Sequence, residues 1–184
     1  MVHRSAPQRG ERVLVTGASG GVGSAAVQLC KVRGAEVAAV TTSSKAESLR
    51  AIGADQIIDR NDEQSWKALG KNSVDVVLDL VGGASFPRLL DMLRPFGRYA
   101  VSGAIEGPLV QLDLRTLYLK DQRFYGCTVL DEGVFADLTH LINQGKIKPL
   151  VAATYPLSEI RTAQEDFQKK AHIGKIVLTM PKSQ

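Results

Sequence analysis

The segment Val13 to Gly23, reading Val-Leu-Val-Thr-Gly-Ala-Ser-Gly-Gly-Val-Gly, constrains this chain more than any other. A short run of aliphatic and β-branched residues ends in glycines. After it, small and apolar residues recur at helical spacing through residue 33. This is a strand, a tight turn and a helix. Gly20 lets the backbone come close to a pyrophosphate, where a Cβ would collide with it. Gly23 lets the helix pack tightly on the strand. The first amides of the helix, near Gly20, Gly21 and Val22, point at the phosphates, and the helix dipole adds to the attraction. Read against G-x-G-x-x-G, the segment has Ala18 in the first slot. Its complete strand–turn–helix setting points to a dinucleotide. The competing reading is a glycine turn that serves helix–strand packing alone.

The rest of the chain repeats the alternation. Strands are expected at Glu36 to Val40, Gln56 to Ile58, Val74 to Val81, Arg98 to Ser102 and Arg123 to Leu130. Helices are expected at Ser44 to Ile52 and Asp62 to Leu69, with two more on apolar stripes. One stripe is Phe86, Leu89, Leu90 and Leu93; the other is Val134, Phe135, Leu138, Leu141 and Ile142. Strand–helix units joined by short loops predict an α/β fold. It is a Rossmann doubly wound parallel six-stranded sheet with helices on both faces. From Lys148 the rhythm changes. Val151 to Tyr155 and Lys175 to Met180 read as strands, with a helix marked by Ile160, Ala163 and Phe167 between them. We therefore expect a Rossmann domain over 1–147 and a C-terminal strand–helix–strand tail over 148–184.

The second strand bears on the choice of dinucleotide. An NAD site places an acid at its end, about 20 residues after the glycines, to hold the ribose diol. Here the chain reads Val40, Thr41, Thr42, Ser43, Ser44 and Lys45, with no acid until Glu47. A carboxylate would repel a 2′-phosphate, whereas hydroxyls and a lysine accept it. NADPH is favoured, with Lys45 and Arg60 as candidate charges; a solvated face is the competing reading for both. Ligands sit at the carboxyl ends of parallel strands, so Val81 with Gly82 and Gly83, and Ser102 with Gly103, should also line the cleft.

Other chemistries fit less well. The tyrosines Tyr99, Tyr118, Tyr125 and Tyr155 are followed four residues later by Gly103, Gln122, Val129 and Glu159. The Tyr-x-x-x-Lys of short-chain dehydrogenases is therefore missing. No G-x-S-x-G elbow occurs, and a methyltransferase would want the acid that the second strand lacks. Cys30 and Cys127 lie in no CxxC and near no ligand-spaced histidine, so we expect neither a metal site nor a disulfide. The net charge of +4 is scattered, which argues against a nucleic-acid groove. No apolar run approaches the ~20 residues of a membrane span, and no signal peptide opens the sequence, so the expected place is the cytosol.

Several segments in order resemble one family. They are Val15 to Gly23 with Ala26 to Leu29, Ile52 to Asp55 with Ile58 and Asp59, and Val76 to Asp79 with Val81 to Gly83. Leu93 to Gly97, Gly145 to Pro149 and Gly174 to Leu178 follow. Together the chain resembles the medium-chain dehydrogenase/reductase superfamily, in its quinone-oxidoreductase and enoyl-reductase branch. The resemblance implies hydride transfer from NADPH to a quinone, enone or other conjugated carbonyl as the small-molecule substrate. It implies a GroES-like catalytic domain ahead of the Rossmann domain, to which residues 148–184 return. Only sixteen residues precede Gly17, so that domain is expected to be absent and the chain alone inactive. By resemblance, Ser19, Gly20, Gly21 and Val22 cradle the pyrophosphate, and Thr42 and Lys45 meet the 2′-phosphate. Arg60 stands where relatives place an aromatic near the adenine. Ser102 and Gly103 lie beside the nicotinamide ribose, and Tyr125, Gly126 and Cys127 edge the nicotinamide. No catalytic residue is assigned. Without its packing partner the tail should expose apolar strand faces, which a homo-oligomer would cover. A non-catalytic NADPH sensor or synthase module is the alternative.

Overall fold

The computed structural model describes residues 1–181 of the chain. After a one-turn helix α1 (Val2–Ser5) come β1 (Arg12–Val15), α2 (Gly21–Val32), β2 (Glu36–Thr41), α3 (Ala46–Ala51), β3 (Gln56–Asp59), α4 (Glu63–Leu69) and β4 (Val74–Asp79). Then follow α5 (Phe86–Met92), β5 (Leu93–Val101), α6 (Leu114–Tyr118), β6 (Arg123–Gly126), α7 (Val134–Asn143), β7 (Val151–Pro156), α8 (Ile160–Gln168) and β8 (Lys175–Thr179). The first six strands are parallel and lie in the order β3-β2-β1-β4-β5-β6. The order reverses between β1 and β4, which opens a crevice at their carboxyl ends.

The core lies on both faces of this sheet. Because side chains alternate along a strand, Val13 and Val15 enter one cluster with Val27, Cys30, Val37 and Leu78. Leu14 enters the opposite cluster with Val40, Ile58, Trp66, Val77 and Leu89. Burial on both sides explains why these strands read as continuous apolar runs. Side chains close some of the helix ends. The Asp62 carboxylate accepts from the amides of Gln64 (2.9 Å) and Ser65 (3.2 Å) to start α4. At the end of α5, Lys120 Nζ donates to the carbonyls of Leu90, Asp91 and Leu93 at 3.0–3.2 Å.

The structure departs from the expected elements most clearly as follows. β4 stops at Asp79, short of Val81, because the next amides turn back onto the Asp79 carboxylate. Leu93 opens β5 rather than completing the α5 stripe; it pairs with Val74. β6 ends at Gly126, not Leu130. The Cys127 amide makes one more bond to Val101 O at 2.9 Å, but β5 has ended, and Val129 and Leu130 are exposed. Helices α1 and α6 lie outside the expected elements, since neither carries a full apolar stripe. α7 forms where its stripe predicts, yet none of its residues is fully buried.

The tail makes its own two-stranded parallel sheet of β7 and β8. It is tied back to the first unit at several points, Lys45 among them. Gln28 pairs with both the amide (2.9 Å) and the carbonyl (3.1 Å) of Lys148. The Gly174 amide donates to Ser19 O at 3.1 Å, so the chain crosses the glycine turn just before β8.

Two outcomes are expected. In Gly23→Ala the new Cβ would stand 2.3 Å from Gly17 O and 2.7 Å from Ala18 Cα, both backbone atoms. Urea unfolding should show a loss of about 1–3 kcal/mol; an unchanged midpoint would contradict this packing. Burial pushes the Cys30 thiol up to about 12. Peptide mapping after alkylation at neutral pH should find Cys30 unmodified in the native protein and modified after denaturation.

Candidate functional site

The crevice is built from the loops that leave β1, β4 and β5, with β2 and β6 at its flanks. Gly17 adopts a left-handed conformation (φ +57°), which reverses the chain after Thr16. Gly20 closes the turn with its amide on Gly17 O at 3.0 Å and forms the N-terminal cap of α2 without any side-chain acceptor. The first-turn amides of α2 therefore face the mouth of the crevice. The nearest atom to a side chain placed on Gly20 would be Gly17 O at 3.4 Å, so that surface is open. Val22 is exposed and Ser19 half-buried beside it.

Gly21 is different, because the aliphatic end of Lys175 lies over it. A Cβ on Gly21 would meet Lys175 Cε at 2.0 Å and Nζ at 2.7 Å. The tail thus sets an ammonium beside the positive end of α2, an arrangement that favours an anion between them. Sequence reasoning missed Lys175. Its motif belonged to the tail, and nothing local places the tail over the glycine turn.

At the end of β2, Thr42 Oγ1 and Ser44 Oγ are 3.1 Å apart. The loop between them and α3 is held by the Asp59 carboxylate, which accepts from the amides of Asn61 (2.9 Å) and Ser43 (3.0 Å); these bonds hold Asp59 below its ordinary pKa. Lys45 is half-buried. Its ammonium donates to Lys170 O (2.5 Å) and His172 O (3.1 Å) in the tail. Burial, then repulsion from Arg60 and Lys170, lowers its pKa. Arg60 is exposed, with its amide on Thr41 O at 2.8 Å. Thr42, Lys45 and Arg60 thus share one end of the crevice, and Lys45 also holds the tail.

At the other end, Ser102, Gly103, Gly126 and Cys127 line a cavity of about 630 Å³ together with Arg4 of α1. Ser102 Oγ donates to Cys127 O at 2.5 Å. Arg4 is held there by Gly126 O (2.8 Å) and the Asp131 carboxylate (2.9 Å), a placement the sequence did not suggest. Tyr125 is half-buried against the core. The absent side chains of Gly83 and Gly103 make room for protein backbone: a Cβ would meet Glu106 O at 2.7 Å and Leu80 O at 2.6 Å respectively.

Behind these loops lies Asp79, fully buried. Thr16 Oγ1 and Tyr99 Oη each donate to it at 2.5 Å, and the amides of Val81 (2.9 Å) and Gly82 (3.2 Å) complete its shell. Burial, then the bond to Asp79, pushes the Tyr99 hydroxyl well above its ordinary pKa, so it stays a donor. A second cavity of about 570 Å³ opens between α4, α5 and α6, around Trp66, Leu90 and Met92, on a face of the sheet rather than at the crevice.

Comparison with known proteins gives a consistent result. The family model of the zinc-binding dehydrogenases matches residues 21–144. Acryloyl-coenzyme A reductase of Metallosphaera sedula is 36% identical over 180 residues, which cover 97% of this chain and 53% of that protein. A protein of Sinorhizobium meliloti 1021, named only provisionally as an alcohol dehydrogenase, superposes with a TM-score of 0.91 at 45% identity over 98% of this chain and 51% of its own. A crotonyl-CoA carboxylase/reductase solved in complex with NADP superposes with a TM-score of 0.83 at 26% identity, covering 94% of this chain and 50% of its own. The chain spans about half the length of the relatives it matches. Among the described residues, no three His, Cys, Asp or Glu side chains come together to hold a metal. The residues present therefore do not fit the zinc of the family's name.

Lys45→Met should free the two tail carbonyls. Trypsin is then expected to cut after Lys169 or Lys170 roughly five-fold faster than in the parent, the effect of losing about 1 kcal/mol of local hydrogen bonding. Equal cleavage rates would show that Lys45 does not anchor the tail.

Proposed function

The chain belongs to the zinc-binding dehydrogenase family, and from that premise we propose that it is the NADP(H)-binding part of a longer oxidoreductase that reduces a conjugated carbonyl. The observation that carries this reading is the uncapped start of α2 at the open surface of Gly20, with Lys175 beside it. Backbone amides and one ammonium there suit a diphosphate. Relatives named acryloyl-coenzyme A reductase and crotonyl-CoA carboxylase/reductase support the oxidoreductase class.

The bound nicotinamide would supply the hydride; this chain's residues bind and orient. Ser19, Gly20, Gly21 and Val22 would hold the diphosphate from the helix end. Thr42, Lys45 and Arg60 would receive the 2′-phosphate; β2 itself ends without an acid, and the nearby Asp59 carboxylate is taken up by the amides of Ser43 and Asn61. Val81, Ser102, Gly103 and the stretch Tyr125, Gly126, Cys127 would line the nicotinamide half. The tail, residues 148–184, would join a catalytic domain carried by the rest of the protein. In its favour, Val151, Ile160 and Phe167 are 56%, 43% and 50% exposed, more than isolated apolar side chains need be.

Calorimetric titration tests the assignment. NADPH should bind at least roughly tenfold more tightly than NADH. Lys175→Ala should weaken both cofactors by about tenfold, as expected for a charge-assisted contact to phosphate. Arg60→Ala should weaken NADPH alone. NADH binding as tight as NADPH would overturn the choice of cofactor, and no binding of either at millimolar concentration would overturn the function.

A further inference from the structure

We propose that Asp79 is a positioning residue for the nicotinamide half of the cofactor, acting through the loop it clamps; this rests on the NADP(H) reading above. Three successive amides leave β4 without a strand partner. Leu80 N donates to Thr16 Oγ1 at 2.9 Å, Val81 N to Asp79 Oδ1 at 2.9 Å, and Gly82 N to both Asp79 oxygens at 3.2 Å. The conformation of this loop is therefore imposed by side-chain acceptors beneath it. It includes Gly82 at φ +66° and ψ −149°, a region essentially reserved for glycine.

The acceptors themselves come from separate strands. Thr16 leaves β1 and Tyr99 lies within β5. Each gives a hydroxyl to a different Asp79 oxygen at 2.5 Å. The Asp79 carbonyl also takes the Ser102 amide at 3.0 Å, where β5 ends. One residue thus ties the three strands together: its carboxylate holds Thr16 after β1, the loop after β4 and Tyr99 within β5, and its carbonyl holds the end of β5. The clamped loop reaches the crevice as Val81, whose Cγ2 is 3.3 Å from where a Gly17 side chain would begin. Val81 lies between the glycine turn and the Ser102–Gly103 end. An amide in place of the Asp79 carboxylate offers one oxygen and an NH₂ group that faces donors.

The experiment uses this chain with Asp79→Asn, Tyr99→Phe and Thr16→Val, each kept well below its melting temperature. Two ligands are titrated: NADPH, and adenosine 2′-monophosphate, which reaches only the adenosine end. Tyr99→Phe, the mildest change, should weaken NADPH about five- to tenfold, and Asp79→Asn more, with adenosine 2′-monophosphate unchanged within about twofold. Amide exchange at Leu80, Val81 and Gly82 should accelerate in the same order, a readout that needs no cofactor. Parallel loss of both ligands, or a lowered melting temperature with NADPH affinity intact, would reduce Asp79 to a structural residue and overturn the proposal. A parent chain that binds no NADPH removes the premise and the proposal together, whatever the exchange data show.

Discussion

The contact on which the rest depends is the one between Gly23 and Gly17. With 2.3 Å between a would-be Cβ and a carbonyl oxygen, α2 can lie against the β1 turn only because that Cβ is missing. The close approach fixes where α2 begins. It also fixes where its uncapped amides face and how far the helix stands from the sheet. Val27 and Cys30 reach the core cluster of Val13 and Val15 from that position. Crevice and core thus share one geometric condition, and the same residues that pack the domain aim its helix dipole.

A turn alone leaves the other walls of the crevice undefined. Two further constraints supply them. Asp79 gathers the exits of β1, β4 and β5 from below, and the tail closes over the glycine turn from above through Gly174 and Lys175. The first is buried and neutral donors surround it. The second is cationic and lies at the surface. Their difference matches the proposed division of the ligand, an anionic diphosphate near Lys175 and an uncharged or delocalised ring near Val81 and Ser102.

What the sequence made legible was whatever depends on neighbours along the chain. Strand and helix types followed from periodicity, and the glycine loop from its spacing. The β2 end was legible because an acid would have been visible there. What it hid depends on partners far apart. β6 stops at Gly126 because β5 stops at Val101, not because Val129 or Leu130 is a poor strand former. Leu93 fits a helical stripe equally well, and pairing with Val74 decides. Asp79 read as one letter of a family motif; its role needs Thr16 and Tyr99, 63 and 20 residues away. Lys175 lies more than 150 positions from the glycine that it covers, so no local pattern could link the two.

Lys45 shows how a residue can be engaged by partners that its own segment does not reveal. Its side chain was expected to face a phosphate, and it donates to two tail carbonyls. An ammonium carries three donors, so one remains. The two carbonyls accept hydrogen bonds but carry no net charge, and they leave the positive charge of Lys45 uncompensated. Arg60 and Lys170 make it worse, and their repulsion, added to burial, lowers the Lys45 pKa. Lys45 is thus held by neutral carbonyls while two cations repel it, which leaves its charge open to an anion. A dianionic phosphate would compensate that charge without breaking either bond to the tail. If Lys45 receives a 2′-phosphate as proposed, closing the tail over Lys45 and binding that phosphate would favour each other, because the same ammonium serves both.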